Sequence, residues 1–184
     1  MTDSNSNRLV GRDADIEFLK ELPKEKLIDF LFMHIRDIFA VDGLYFLGIE
    51  KRFGTEPSVE IDQEVWEGMA VIEARRLKKT MGASGENIPS FMEALRSSCW
   101  SLDTEDKEIE IEEKRGVFRN RRCRVQSKRT SKGLDLFPCK GVRYGWMRAF
   151  AKEFNPRIKV NCLVCPPDEH PDDLWCEWEF VLEE

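Results

Sequence analysis

Residues 108–126 read EIEIEEKRGVFRNRRCRVQ, and this stretch decides the fold because the apolar periodicity changes within it from helical to strand-like. Isoleucine and glutamate alternate over 108–113, which predicts a half-buried strand. Lys114-Arg115-Gly116 predicts a turn into a second strand over about 117–126. We therefore expect an α+β fold in which N-terminal helices pack with a mainly antiparallel sheet.

Helical spacing of apolar residues dominates the chain before this stretch. It predicts a helix over 23–39, a short helix over 42–54 with Asp42 as its N-cap, a long helix over 58–81 and a short one over 88–97. The apolar stripe expected to face the core on the long helix consists of Ile61, Val65, Met69 and Ile72.

The chain after the first two strands continues with mixed elements. A helix is expected over 139–154, followed by strands over 158–164 and 174–182. We divide the chain into a flexible tail, residues 1–12, and a single α+β domain, residues 13–184. The domain has a helical half, 13–98, and a sheet and zinc-binding half, 99–184.

Composition and charge restrict the class of protein. The 184 residues carry a formal net charge of −6, which disfavours nonspecific attraction to nucleic acid or to an anionic membrane. The start, MTDSNSNRLV, lacks the basic and apolar regions of a signal peptide, and no apolar run approaches the length of a membrane span. We expect a cytoplasmic protein with reduced thiols. No DNA-binding or signalling domain is recognised beside it, which favours a stand-alone binder or enzyme.

A basic run over residues 114–132 contains nine Lys or Arg residues and no acid. It is either a strip that binds phosphate or carboxylate groups, or a strand whose arginines pair with the glutamates of 108–113. Arg119 and Arg121 share a strand face and are our candidates for binding an anionic ligand. Cys123 lies among arginines, which would lower its pKa if it were exposed, so it is a candidate nucleophile.

Cysteine spacing carries the clearest chemical signal. Four of the six cysteines fall between residues 139 and 176, and two of them form a CxxC pair, a common half of a structural zinc site. The alternative is that they are buried and inert. We expect His170 to be a solvated loop residue. The alternative is that His170 replaces one cysteine as a metal ligand. The predicted zinc ligands are Cys139, Cys162, Cys165 and Cys176.

The segments FPCKGVRYGWMRAFAKEF (137–154) and CLVCPPDEHPDDLWCEWEF (162–180) resemble the closing half of the vinyl-reductase-like ligand-binding domain. In that family a helix-opening Cys, a Glu-x-x-Cys and a Cys on the last strand hold zinc. The three family cysteines correspond to Cys139, Cys165 and Cys176. The family glutamate falls on Cys162, and this departure makes the expected site softer and more specific for zinc.

Two further resemblances cover more of the chain or carry an activity. Stretches such as GLYFLGIEKRFG and CRVQSKR resemble a group of archaeal and bacterial proteins of unknown function. The ending is more distantly similar to that of 2-aminothiazoline-4-carboxylate hydrolase-like proteins. That second resemblance implies, as an alternative function, a small hydrolase acting on an amide-like or heterocyclic carboxylate.

The vinyl-reductase-like resemblance implies a zinc ion that stabilises the domain and a small-molecule pocket between sheet and helices. By that resemblance Trp146, Trp178, Tyr144 and Phe118 line the pocket, although each of them is equally compatible with plain core packing. We therefore expect a zinc-stabilised, sensor-like domain that binds a small molecule and can assemble as a homodimer. The hydrolase and a pure interaction subunit remain alternatives.

Polar residues on apolar helical faces form a last candidate site. Glu73 shares an apolar stripe with Trp66, and Glu50 shares a face with the apolar residue Phe46. His34 borders a third apolar stripe. We predict that both glutamates are buried, either near each other or near an arginine such as Arg76, with raised pKa values if no cation is close. This is either a second acidic site including His34 or a structural ion pair.

Overall fold

The computed structural model describes residues 11–183, so the predicted tail lies outside the described residues except for its last two positions. Within that range seven helices and four strands follow one another along the chain. They are α1 (Asp13–Lys20), α2 (Lys24–Phe53), α3 (Thr55–Met81), α4 (Ile88–Arg96), α5 (Cys99–Asp103), β1 (Asp106–Ile111), β2 (Arg115–Arg122), α6 (Arg124–Ser131), α7 (Lys140–Phe154), β3 (Ile158–Val164) and β4 (Cys176–Leu182).

The four strands form one antiparallel sheet in the order β1-β2-β4-β3. The predicted α+β class is confirmed, and so is the hairpin of β1 and β2. On the central strands Phe118 lies opposite Trp178, and both side chains are fully buried beneath the helices. The opposite face of the sheet carries the charged residues, because successive side chains alternate between faces.

The predicted second strand is too long. β2 ends at Arg122, and residues Arg124–Ser131 form α6 instead. The helix is fixed by Gln126, which is buried and whose side-chain amide donates to Phe137 O at 2.8 Å and accepts from Phe137 N at 2.9 Å. This tertiary contact outweighs the strand-like alternation of the local sequence.

The predicted break at Asp42 is also wrong, because α2 runs unbroken through 30 residues. Asp42 lies inside the helix and accepts a hydrogen bond from Trp66 Nε1 at 3.0 Å. An aspartate that resembles an N-cap in the sequence is therefore a half-buried link between α2 and α3.

The buried face of α3 differs from the predicted one. Ile61, Val65 and Ile72 are 44–59% exposed. The face turned inward consists mostly of small and polar side chains, with one tryptophan: Ser58, Asp62, Trp66, Ala70, Glu73 and Ala74. Two carboxyl groups are thereby carried into the interior.

One hydrophobic core joins the helical half to the sheet. Trp146 and Phe150 of α7 stack with ring centroids 4.8 Å apart, and Phe91 of α4 meets Phe180 of β4 at 5.1 Å. Among residues 11–183, no helix has the length and apolar character needed to cross a membrane.

Candidate functional site

A cavity of about 390 Å³ opens where α2, α3, α6 and the start of α7 meet the ends of β2 and β4. We call it the central cavity. Its volume lies in the range typical of small-molecule sites. Its lining includes four cysteines: Cys123, Cys139, Cys165 and Cys176. It also includes charged side chains next to indole rings: Asp42, Asp62, Trp66, Trp100 and Arg143.

Two of the predicted zinc ligands are in direct contact. Cys139, the N-cap of α7, has its Sγ 3.5 Å from Sγ of Cys165, which follows β3. This hydrogen bond, followed by the charge of Arg143, lowers the pKa of Cys139 despite its burial. Tetrahedral zinc–sulfur bonds of about 2.3 Å place two sulfurs about 3.8 Å apart, so this pair approximates one edge of a zinc-thiolate site.

The other two predicted ligands surround that pair more loosely. Cys165 interacts electrostatically with Cys176 and Cys162 as well as with Cys139, and its pKa is raised by the bond to Cys139 and by burial. Burial also raises the pKa of Cys176 to about 12. Across residues 11–183, no group of three or more His, Cys, Asp or Glu side chains is arranged to hold a metal ion. Metal binding therefore requires Cys162 and Cys176 to close on the contacting pair.

Arg143 lies one helical turn after Cys139 on α7 and lines the central cavity. Its guanidinium carbon is 4.5 Å from the ring centroid of Trp100 and 5.9 Å from those of Trp66 and Trp146. Its Nη1 is buried and has no hydrogen-bond partner among the described residues. A guanidinium held between indole rings with unused hydrogen-bonding capacity can bind an anionic group of a guest.

Asp42 and Asp62 form a hydrogen-bonded carboxyl pair between α2 and α3. Burial, followed by the charge of Asp42, raises the pKa of Asp62 to about 7. Burial also raises the pKa of Asp42, while the Trp66 indole and the charge of Arg143 oppose the increase. The pair therefore retains a shared proton up to about pH 7, because burial and the charge of one carboxylate disfavour ionisation of the other.

The predicted anion ligands lie elsewhere. Arg119 Nε bonds Glu177 Oε1 at 2.7 Å, and Arg121 Nε bonds Glu108 Oε1 at 2.6 Å, on the sheet face away from the helices. Arg119 also pairs with Glu110. The strand part of the basic run is therefore neutralised by glutamates, as its second interpretation predicts.

The rest of the same run, from Arg122 at the end of β2 onward, is arranged differently. Arg122, Lys128 and Lys132 are exposed and line the mouth of the central cavity. Arg129 instead forms a bidentate pair with Glu50, with N–O distances of 2.9 and 3.0 Å. The mouth therefore carries three cations that no described carboxylate pairs.

The aromatic residues predicted to line a pocket belong to the core or the surface. Trp146, Trp178 and Phe118 are fully buried in the core, and none of them lines the central cavity. Tyr144 is 37% exposed and stacks on Trp178 with centroids 6.3 Å apart. The rings that do line the cavity are those of Phe39, Phe46, Trp66, Trp100 and Phe137.

The residues of the predicted second acidic site are dispersed. Glu73 is buried as predicted; Cys99 N donates to its Oε1 at 2.5 Å, and burial raises the pKa of the carboxyl. Glu50 has a lowered pKa because Arg129, not Arg76, pairs with it. His34 is exposed on α2 beside Asp37. The structure does not bring these three side chains together.

The remaining candidates have simple environments. Burial raises the pKa of Cys123, the opposite of the shift that activates a cysteine nucleophile. His170 lies in the loop before β4 with its ring centroid 4.7 Å from that of Trp175.

Sequence reasoning missed Arg143 and the Asp42–Asp62 pair. The signal for Asp62 was present, because it lies four residues before Trp66 on the inward face of α3, the argument that identified Glu73. Arg143 likewise shares a helical face with Cys139 and Trp146.

Comparison with known proteins gives one match. The model of a Family of unknown function (DUF6125) matches residues 20–182, a range that contains all six cysteines and every residue lining the central cavity. No curated protein and no solved structure matches the chain.

Proposed function

The chain belongs to this Family of unknown function (DUF6125), and we propose that it is a cytoplasmic, sensor-like domain that binds a small anionic molecule in the central cavity. A zinc ion held by Cys139, Cys162, Cys165 and Cys176 stabilises the domain. The observation that carries the proposal is Arg143, a cation inside the cavity with an unused hydrogen-bond donor.

Arg143 is half-buried, and its Nη1 is buried without a hydrogen-bond partner among residues 11–183, which is costly unless it serves a guest. Taking a charge fully out of water costs several kcal/mol, and stacking on indole rings returns only about 0.5–2 kcal/mol. The charges of Asp42 and Asp62 offset part of the cost. A carboxylate guest would pair with the guanidinium directly, through charge-assisted hydrogen bonds.

The cavity mouth supports the same guest. Arg122, Lys128 and Lys132 create a positive field at the entrance of a chain whose net charge is negative. Such a local field concentrates anions and accelerates their association. Binding is a better match to these features than covalent hydrolysis, because the candidate nucleophile Cys123 has a raised pKa.

The anion proposal is tested by isothermal titration with para-toluate and with its neutral isostere para-methylbenzamide. We expect para-toluate to bind the wild type and to lose about tenfold or more in affinity in Arg143→Met, the value of a charge-assisted hydrogen bond. Arg148→Met, on the exposed face of the same helix, is the matched control and should bind normally. Equal affinities for the acid and the amide, or equal losses in both variants, would overturn the proposal.

Zinc is supported by the donor chemistry of Cys139, Cys162, Cys165 and Cys176. Four thiolates are a closed, structural set of zinc ligands, and one pair already has nearly the required separation. Elemental analysis of protein purified without added metal should give about one zinc per chain. Cys139→Ser should lose it, whereas Cys99→Ser, a buried thiol bonded to Glu73, should retain it. A metal-free wild type would contradict this part of the proposal.

A homodimer is supported by the apolar surface between α2 and α3. A groove of about 470 Å³ there is lined mainly by apolar side chains, several of them exposed, including Val41, Tyr45 and Val65. Contiguous apolar surface of this kind marks interaction sites in soluble proteins. A second copy of the same helix pair is the partner that we propose.

A further inference from the structure

The Asp42–Asp62 pair is a second polar group in the central cavity, and the charge of Arg143 acts on both carboxyls. Both carboxyls line the cavity together with Trp66. Their side chains are held by the Trp66 indole, which donates to Asp42 Oδ1 at 3.0 Å, and by their mutual hydrogen bond. Neither carboxyl has an arginine or lysine within ion-pairing distance among the described residues, unlike Glu50, which has Arg129.

The charges at this end of the cavity balance before any guest enters. Arg143 carries one positive charge, and a carboxyl pair that shares a proton carries one negative charge. A guest with only an anionic group would add an uncompensated negative charge near the pair, in surroundings with little water to screen it. A guest that also carries a cationic nitrogen would leave the balance unchanged. The charge arrangement therefore selects for a guest with both groups.

The walls between the two charged positions favour the same guest. Trp66 stacks on Phe39 with centroids 5.3 Å apart, and Trp100 lies under Arg143. Indole faces attract cationic groups as well as flat apolar ones. A guest that spans from Arg143 to the carboxyl pair would lie along these rings.

We propose that the central cavity recognises a small zwitterionic molecule, with its anionic group at Arg143 and its cationic nitrogen at the Asp42–Asp62 pair. This inference rests on the proposed function and specifies the class of ligand. On binding, the ammonium group of the guest donates to the two carboxyls, which keep their shared proton, so the net charge of the site does not change. The competing explanation is that the pair only links α2 to α3.

The test is isothermal titration of the full chain with three probes. These are para-(aminomethyl)benzoate, which carries both charges, para-toluate, which lacks the amine, and para-methylbenzylamine, which lacks the carboxylate. Wild type should bind the zwitterion at least about tenfold more tightly than either single-charge probe, the value of one charge-assisted contact. Repeating the titration in buffers of different ionisation enthalpy should reveal no net proton release for the zwitterion.

Variants separate this inference from the proposal on which it rests. In the double variant Asp42→Asn with Asp62→Asn, which removes the negative charge of the pair, the zwitterion should lose its advantage while para-toluate still binds; Glu60→Gln, an exposed position on α3, is the control. Asp42→Asn alone provides a second variant should the double variant fold poorly. If para-toluate depends on Arg143 but the amine adds no affinity, the zwitterion inference fails and the anion site stands. If no carboxylate binds, both fail.

Discussion

Replacing Asp62 by asparagine should stabilise the protein at alkaline pH. The pKa of Asp62 is raised from 3.8 to about 7, chiefly because the carboxyl is buried. The folded chain therefore retains a proton that the unfolded chain releases near pH 4. The contribution of this carboxyl to stability is greatest below about pH 4, declines as the pH rises, and reaches its lowest value above about pH 7.

The size of the effect follows from the same two values. A shift of one pKa unit corresponds to about 1.4 kcal/mol, so the free energy of unfolding declines by about 4 kcal/mol at most between the two pKa values. An asparagine at this position has no proton to lose, and its amide can donate to Asp42 as the protonated carboxyl does. Asp62→Asn should therefore equal wild type near pH 4 and exceed its free energy of unfolding by up to about 4 kcal/mol at pH 8.

The assay is urea denaturation from pH 4 to pH 8, followed by circular dichroism. Glu60→Gln serves as the control, because it removes an exposed carboxyl from the same helix and should follow the wild-type pH profile. Glu73 also has a raised pKa, but it is present in every variant, so its effect cancels in the difference. If Asp62→Asn and wild type have parallel pH profiles, the two aspartates do not share a proton and the reasoning fails.

Three further predictions concern packing, pairing and assembly. A Cβ at Gly116 would lie 2.5 Å from the sulfur of a buried methionine on α4, so Gly116→Ala should lower the free energy of unfolding in urea by about 1–3 kcal/mol. Gly68 has open space around it, and Gly68→Ala should not destabilise the protein. Arg129→Met should lower the free energy of unfolding by about 3 kcal/mol, because it leaves Glu50 unpaired in a partly buried position. Adding Glu50→Gln should restore part of the loss, and full additivity of the two changes would refute the pairing. Sedimentation should show a wild-type dimer that Val65→Glu converts to a folded monomer, and a wild-type monomer would contradict the proposed assembly.

The sequence predicted the elements whose local pattern agrees with their tertiary environment. The β1–β2 hairpin is present, and α3, α4, α7 and β3 appear close to their predicted bounds, because their alternation, caps and proline stop all favour the same structure. The pairing of β1 glutamates with β2 arginines also follows from the hairpin: its register places Glu108 opposite Arg119, and the ion pairs Glu108–Arg121 and Glu110–Arg119 lie on the diagonals.

Long-range contacts determined what the sequence could not supply. α6 depends on Gln126 bonding the backbone of Phe137, and the continuity of α2 at Asp42 depends on Trp66 of the next helix. The choice of buried face on α3 depends on close packing against α7, which favours small side chains over the more apolar stripe. The candidate site consists of such contacts, so Arg143 and the aspartate pair emerged only from the structure.

The most direct test of the central claim is an indole N–H NMR spectrum recorded while para-toluate is added. The chain has five tryptophans; Trp66 and Trp100 line the central cavity, whereas Trp175 lies against His170 outside it. Binding in the cavity should shift the signals of Trp66 and Trp100 and leave that of Trp175 in place. These shifts should be absent in Arg143→Met. Unchanged signals from both cavity tryptophans, or shifts that persist without Arg143, would contradict the account.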